Sequence, residues 1–357
     1  MAQPQPKGRL AFLLIVKLRS CTVRVGISGY GLAGRVFHAP LLKGCGYEVA
    51  SILTSNPERI AQVKSDFPNA QIFSELDPFL DSGLDLVVIA SSNVAHLPQT
   101  RAALERRIPT VVDKPMGRTV AEVKEMIELS EKNTTLLTTF FNRRWDSDSL
   151  TIKELLITGE LGQPFRFDGR FERFRPERNM ASWRENLSPE DGGGLLLDLQ
   201  SHLISTALDY FGPAQVVSAS VRSIRGGSDD DVTVTLKHDS GVDSYLAASA
   251  VSGAPGPRVR LLGSKGALVV NELDPQEDAL RAGQIPLGGV WSSPMTSAAA
   301  IHRGDEVISV DSVPGNYAAF YTLVKSAIES GSPAPVSLAD ALRVAEIIEE
   351  ARALSVR

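Results

Sequence analysis

The sequence predicts an α/β protein in two parts: a doubly wound parallel sheet first, then a C-terminal α/β domain with an open, largely antiparallel sheet. Three observations carry this. Strand and helix patterns alternate from 23 to 141, the pattern of a parallel sheet covered on both faces. Beyond that stretch, strands follow one another without intervening helices. The chain has 357 residues, more than the ~250–300 that one compact core usually holds.

The elements read in order as follows. Val23 to Ile27, Tyr47 to Leu53, Leu84 to Ala90, Thr110 to Val112 and Leu136 to Phe140 are short apolar runs. The third is nearly continuous and rich in β-branched residues, as a strand buried on both faces should be. Helices fall between them. Asn56-Pro57 supplies an N-cap and a first-turn proline for Glu58 to Asp66, and His96 to Glu105 and Val120 to Glu131 have helical spacing. Leu150 to Leu161 reads as a helix ending at Gly162, Phe165 to Phe174 as a strand, and the Pro-, Arg- and Glu-rich segment to Asp191 as a loop. Gly192-Gly193-Gly194 precedes a helix from Leu195 to about Tyr210. Strands follow at Val216–Val221, Val232–Leu236, Ser244–Ala250, Val259–Leu262 and Ala267–Val270. Residues 274–314, rich in Gly, Pro and Ser, read as a long surface excursion, and Asn316–Ser330 and Leu338–Leu354 as closing helices. The division is 1–20 as a loosely ordered extension, 21–141 as a nucleotide-binding domain, and 142–357 as a domain for substrate and subunit contacts.

Composition narrows the function. The chain is 43% hydrophobic and 22% charged, which fits a globular protein and excludes a disordered chain or a disulfide scaffold. A net charge of −5 gives no broad basic surface for nucleic acid or anionic membrane. Cys21 and Cys45 form no Cys-x-x-Cys pair, His38 and His96 lie in separate segments, and no metal site is expected. Leu10 to Val16 is an apolar run flanked by Lys7, Arg9 and Lys17. It is too short for a membrane span and lacks a small-residue cleavage site. Residues 1–20 are therefore read as an over-long start, with an export signal as the alternative, and the protein as cytoplasmic.

Two motifs carry chemistry. Gly29-Tyr30-Gly31-Leu32-Ala33-Gly34 is G-x-G-x-x-G, directly after a strand and opening a helix. Its glycines make a tight turn, admit a pyrophosphate to the backbone and let helix pack on strand, while the helix N-terminus offers free N–H groups. An acidic residue about 20 positions on usually holds the ribose hydroxyl of NAD. Here that place reads Leu53-Thr54-Ser55-Asn56 with Arg59 beyond, hydroxyls and a guanidinium that suit the 2′-phosphate of NADP. The plainer reading is that Ser55 and Asn56 cap the helix and Arg59 is solvated. In the second motif, Lys114 of Asp113-Lys114-Pro115 ends a strand, where ligand sites of such sheets lie. Asp198 and His202, four apart, share a face of an otherwise Leu-rich helix with Ser201 and Ser205. A polar stripe on a buried helix faces partners or a wet cavity.

Together these residues resemble the Gfo/Idh/MocA oxidoreductases over roughly residues 22–355. The segments around Phe37-His38-Ala39-Pro40-Leu41, Asn142-Arg143-Arg144-Trp145-Asp146, Phe174-Arg175-Pro176, Trp183-Arg184-Glu185 and Leu273 to Asp278 are similar to the branch containing NADP-dependent scyllo-inositol 2-dehydrogenases. The resemblance implies an N-terminal Rossmann domain, Lys114, Asp198 and His202 around nicotinamide and substrate, and cofactor contacts at Ser91, Asn93 and His96. It also implies subunit contacts on the open sheet, and a symmetric dimer or tetramer is the general expectation for such a chain. Asp113 replaces a commoner Glu, and Gln200 stands where Gly is usual, a side chain placed to narrow or re-aim the pocket.

The function expected is NADP-dependent interconversion of a secondary hydroxyl of an inositol-like polyol or sugar with the ketone. His202 serves as base, Lys114 steadies the alkoxide, and Asp198 holds Lys114 or a second hydroxyl. Arg143, Arg144, Trp145, Arg175, Trp183, Arg184 and Gln200 are substrate candidates; for the charged ones a solvated basic loop balanced by Glu172, Glu177 and Glu185 is the alternative. Reduction of another carbonyl or a dihydrodiol, and a cofactor sensor without chemistry, are the other functions this pattern allows.

Overall fold

The computed structural model describes residues 22–355; the extension read at 1–20 and Cys21 lie outside them. The first sheet has strands β1 (Arg24–Ser28), β2 (Glu48–Leu53), β3 (Gln71–Phe73), β4 (Leu86–Ile89), β5 (Thr110–Val112) and β6 (Leu137–Thr139). All pairs are parallel and the order is β3-β2-β1-β4-β5-β6. All four residues of β4 are buried, because helices cover both faces. The order reverses between β1 and β4, so a crevice opens at their carboxyl ends. Asn56 caps the helix Pro57–Asp66, its Oδ1 accepting from the Arg59 amide at 3.1 Å.

The second sheet comprises β7 (Pro164–Glu172), β8 (Ala214–Arg222), β9 (Asp231–His238), β10 (Asp243–Ser249), β11 (Val259–Gly263), β12 (Gly266–Val270), β13 (Ala299–Arg303) and β14 (Glu306–Val310). Its order is β14-β13-β12-β11-β7-β10-β9-β8, antiparallel except where β10 runs parallel to β7. The helix Gln200–Phe211 packs on β7 and β10 through Leu203, Ile204 and Ala207. The last helix, Leu338–Ser355, packs on β8 and also on the helix Val120–Asn133 of the first sheet. No helix among the described residues is long and apolar enough to cross a membrane.

Three readings change. The excursion at 274–314 contains a helix, Gln276–Arg281, and the β13–β14 hairpin, which turns at Gly304 (φ +64°) and extends the sheet. Two five-residue strands between Gly-, Pro- and Ser-rich stretches leave too little periodicity to read. The helix expected to end at Gly162 spans Ser147–Thr158 and closes at Gly159 in the left-handed conformation. The helix expected as one piece from Leu195 is broken at Leu199 into Leu195–Asp198 and Gln200–Phe211.

Candidate active site

The glycine turn leaves β1 and lies against the end of β4. Gly29 has φ +94°, and a Cβ there would sit 2.7 Å from the Ala90 carbonyl oxygen and 2.8 Å from the Ser91 nitrogen. Gly34 is held as closely, since its Cβ would be 2.0 Å from the Gly29 carbonyl oxygen. Gly31 differs. Its Cβ would meet nothing nearer than the Arg59 guanidinium, 3.4 Å away. The turn is thus open at the one glycine a pyrophosphate must approach, with an exposed guanidinium beside it. That is the donor set a dinucleotide phosphate needs. Thr54 is buried, its amide bonded to the Phe73 carbonyl at 2.8 Å, and Ser55 is exposed. The Ser91 hydroxyl donates to Gln99 Oε1 at 2.8 Å, and Asn93 Nδ2 to the Gly192 carbonyl at 3.0 Å. Asn93 therefore ties the first sheet to the triple-glycine segment.

Leu32 and Ala33 border a cavity of about 860 Å³ between the two sheets. Lys114 enters it from the end of β5. Its ammonium donates to Asp198 Oδ1 at 2.5 Å and to the Asp198 carbonyl at 2.9 Å. An ammonium has three donors, so one N–H remains for the cavity. The helix break at Leu199 makes this possible. The His202 amide bonds to the Leu199 carbonyl at 3.2 Å, not to Asp198, which frees the Asp198 carbonyl for Lys114 and for the Ser201 hydroxyl at 3.1 Å. Burial raises the Asp198 pKa, but Lys114 and Arg184 outweigh it, and the carboxyl is held below its ordinary value.

His202 lines the same cavity, and its Nδ1 is buried without a partner among the described residues. Burial, then the charges of Lys114, Arg143 and Arg258, hold its pKa well below 6.5. The imidazole is neutral at neutral pH, a state that accepts a proton.

Behind Lys114 lies a buried relay. Asp113 Oδ1 accepts from the Lys114 amide at 2.8 Å and faces His38 Nε2 at 3.7 Å, while His38 Nδ1 and the Tyr321 hydroxyl are 2.6 Å apart. Burial pushes Asp113 up, but His38 and Lys114 prevail and its pKa falls to about 2. His96 is buried with Nδ1 2.9 Å from the Pro115 carbonyl oxygen, so it braces the segment that carries Lys114. His38 and Tyr321 were not singled out as site residues; the sequence signal for His38 was its place in the family-like segment Phe37 to Leu41, and Tyr321 had none.

The substrate candidates separate. Arg143 lines the cavity, bonded to the Tyr317 hydroxyl at 2.8 Å and to Glu277 at 2.5 Å. Arg184 lines it too, 3.5 Å from Asp198. Four expectations are corrected. Arg144 turns the other way, to Ser205, Asp209 and Asp340. Trp145 packs edge-on against Phe320, with ring centroids 5.6 Å apart. Trp183 stacks under Arg184 outside the cavity wall. Gln200 is fully buried and donates to the Leu246 carbonyl at 3.2 Å, so it neither narrows nor re-aims the pocket.

Residues 23–141 match the family model described as an oxidoreductase family with an NAD-binding Rossmann fold, and residues 149–269 the GFO/IDH/MocA C-terminal domain. The uncharacterized oxidoreductase YdgJ of Escherichia coli is 34% identical over 340 residues, covering 92% of this chain and 95% of that one. The scyllo-inositol 2-dehydrogenase (NADP(+)) IolW of Bacillus subtilis is 33% identical over 339 residues, covering 92% and 93%. The solved structure of the Bacillus subtilis oxidoreductase yvaA superposes with a TM-score of 0.85 at 33% identity, covering 94% and 96%.

Proposed function

The chain belongs to the Gfo/Idh/MocA family of NAD(P)-dependent oxidoreductases, and from that premise we propose that it interconverts a secondary hydroxyl of a polyol or sugar with the ketone, using NADP. The observation that carries this is the meeting, on one cavity wall, of the Lys114–Asp198 pair and a neutral His202 beside the glycine turn. Bound NADP supplies the hydride acceptor. Gly29, Gly31, Leu32, Ala33 and Gly34 cradle its pyrophosphate, and Ser91, Asn93 and His96 shape the nicotinamide end. Thr54, Ser55 and Arg59 receive the 2′-phosphate. The Arg59 guanidinium beside Gly31, which has no ion pair among the described residues, supports NADP over NAD, as does the cofactor named for IolW.

His202 takes the hydroxyl proton, for which a depressed pKa keeps it free. The third N–H of Lys114 donates to the developing alkoxide, where a positive group in a water-poor site counts most. Asp198 fixes Lys114 so that the ammonium does not swing away. On this reading residues 21–141 hold the cofactor and 142–357 the substrate, and the outer face of the second sheet joins copies of the chain into a dimer or tetramer. Nicotinamide absorbance with a panel of polyols and NADP or NAD tests the proposal. It expects turnover with a kcat/KM favouring NADP; equal use of both cofactors removes the NADP assignment, and tight NADPH binding without turnover favours a sensor.

A further inference from the structure

Most cations of the cavity wall face acids: Arg143 meets Glu277, and Arg225 meets Glu185 and Asp230. Arg173 and Arg175 are the exceptions. Both line the cavity, Arg173 half-buried and Arg175 exposed, and among the described residues neither guanidinium has an ion pair or a hydrogen bond. Their backbone is pinned. The Arg173 amide donates to the Ser249 carbonyl at 3.0 Å, the Ser252 amide to the Arg173 carbonyl at 3.1 Å, and the Arg175 amide to the Ala250 carbonyl at 2.7 Å, and Phe174 and Val251 form an isolated bridge beyond the end of the β7–β10 ladder. Phe171, two residues upstream of Arg173, has its ring centroid 6.3 Å from that of His202.

Four acids of the wall face no cation among the described residues: three of them accept backbone hydrogen bonds, and Asp278 has no side-chain bond. Glu172 accepts from the Gly256 amide, Asp229 from Leu196, and Asp274 from Ser147 and Gln276. None of the four forms an ion pair with Arg173. A half-buried guanidinium normally has a partner, because withdrawing a charge from water is costly. Burial and then the nearby Arg175 hold the Arg173 pKa below its ordinary value, against the opposing pull of Asp198, Glu277 and Glu185. A neutral polyol offers only hydroxyl dipoles, whereas a carboxylate offers a full charge and two oxygens matched to the guanidinium fork.

We propose that the substrate carries a carboxylate, as an aldonic or uronic acid does, seated on Arg173 and Arg175 while a secondary hydroxyl of the same molecule lies at His202 and Lys114. This rests on the dehydrogenase reading above and narrows it from neutral to acidic polyhydroxy compounds. The carboxylate only binds; the bonds broken and formed are those of the alcohol oxidation.

The test is oxidation of matched pairs with NADP: D-gluconate against D-sorbitol, D-galactonate against galactitol, and D-glucuronate against D-glucose. The acidic member is expected to lead by tenfold or more in kcat/KM. Arg173→Ala should lower kcat/KM for the acid at least tenfold more than for its neutral partner, mainly through KM, with Arg173→Lys recovering part of it. NADPH affinity, read by nicotinamide fluorescence, should stay within threefold and reports that the variant is folded. Preference for the neutral member, equal losses for both, or weakened NADPH binding overturns the proposal. If no pair is turned over, the polyol panel above decides the dehydrogenase reading, and calorimetry of the NADPH-loaded protein with tartrate against threitol decides the anion site separately. Salt-sensitive tartrate binding that Arg173→Ala abolishes supports it; tartrate binding no tighter than threitol overturns it.

Discussion

Replacing Gly31 by alanine separates cofactor recognition from folding. The new Cβ meets only the mobile end of Arg59, at 3.4 Å, and the backbone there needs no left-handed conformation. Stability should change by less than about 0.5 kcal/mol, as at an unstrained surface site. The bound pyrophosphate is affected differently. N–H groups of the turn must come within ~2.7–2.9 Å of its oxygens for charge-assisted bonds, and a methyl group between them forces it outward. Losing one such bond costs about 1.5–3 kcal/mol, which at 1.4 kcal/mol per decade is roughly 10–150-fold in Kd. Titration of NADPH fluorescence, alongside a thermal melt of the unliganded protein, measures both effects. The control is Gly34→Ala, whose Cβ would fall 2.0 Å from a backbone oxygen. No rotamer relieves that clash, so this variant should lose about 1–3 kcal/mol of stability as overpacked sites do. An NADPH Kd for Gly31→Ala within threefold of wild type would refute the phosphate cradle.

Other expectations follow from the same geometry. His202→Ala and Lys114→Ala should each lower kcat by about 10²-fold or more, as removal of a general acid–base group does; steady-state turnover near wild type in either would remove its assignment. Because the imidazole is held below its ordinary 6.5, the neutral base persists as pH falls. The acid limb of kcat/KM for alcohol oxidation should therefore lie below pH 6.5, and a limb above 6.5 that disappears in His202→Ala would contradict the burial argument. Arg59→Ala should raise KM for NADP about tenfold, a loss in the range of a hydrogen bond to a charged group, while leaving KM for NAD little changed. Equal effects on both would place Arg59 on the pyrophosphate instead of the 2′-phosphate.

Much of this was legible in the residues. The glycine turn and the alternation that follows it specify a parallel sheet because each device is local: a turn, a cap, a buried run. Lys114, Asp198 and His202 were readable as polar groups at a strand end and on a Leu-rich helix. Their arrangement was not. Spacing placed Asp198 and His202 on one continuous helix, whereas the break at Leu199 turns the His202 amide to the Leu199 carbonyl and frees the carbonyl that Lys114 uses. Direction was likewise hidden along Asn142–Trp145, where consecutive side chains in a short 3₁₀ turn diverge. Arg143 enters the cavity, Arg144 pairs with Asp209 and Asp340, and Trp145 packs on Phe320. Apart from the Arg143–Asp146 pair nothing local distinguishes those neighbours, since their side-chain hydrogen bonds and the Trp145 ring contact reach segments about 60 to 200 positions away. The same holds for Tyr321 against His38 and for Ser249 against Arg173. Such long-range pairings belong to the fold and leave no period in the sequence.

The central claim is that this cavity moves a hydride from a carbinol carbon to the nicotinamide of NADP while His202 takes the proton. It is tested most directly with a turned-over polyhydroxy substrate deuterated at that carbon, following the label by mass spectrometry. The account predicts one deuterium in each NADPH formed, one ketone per NADPH, and loss of both products together in His202→Ala. Deuterium released to solvent, or NADPH bound tightly with no transfer from any alcohol tried, would contradict it.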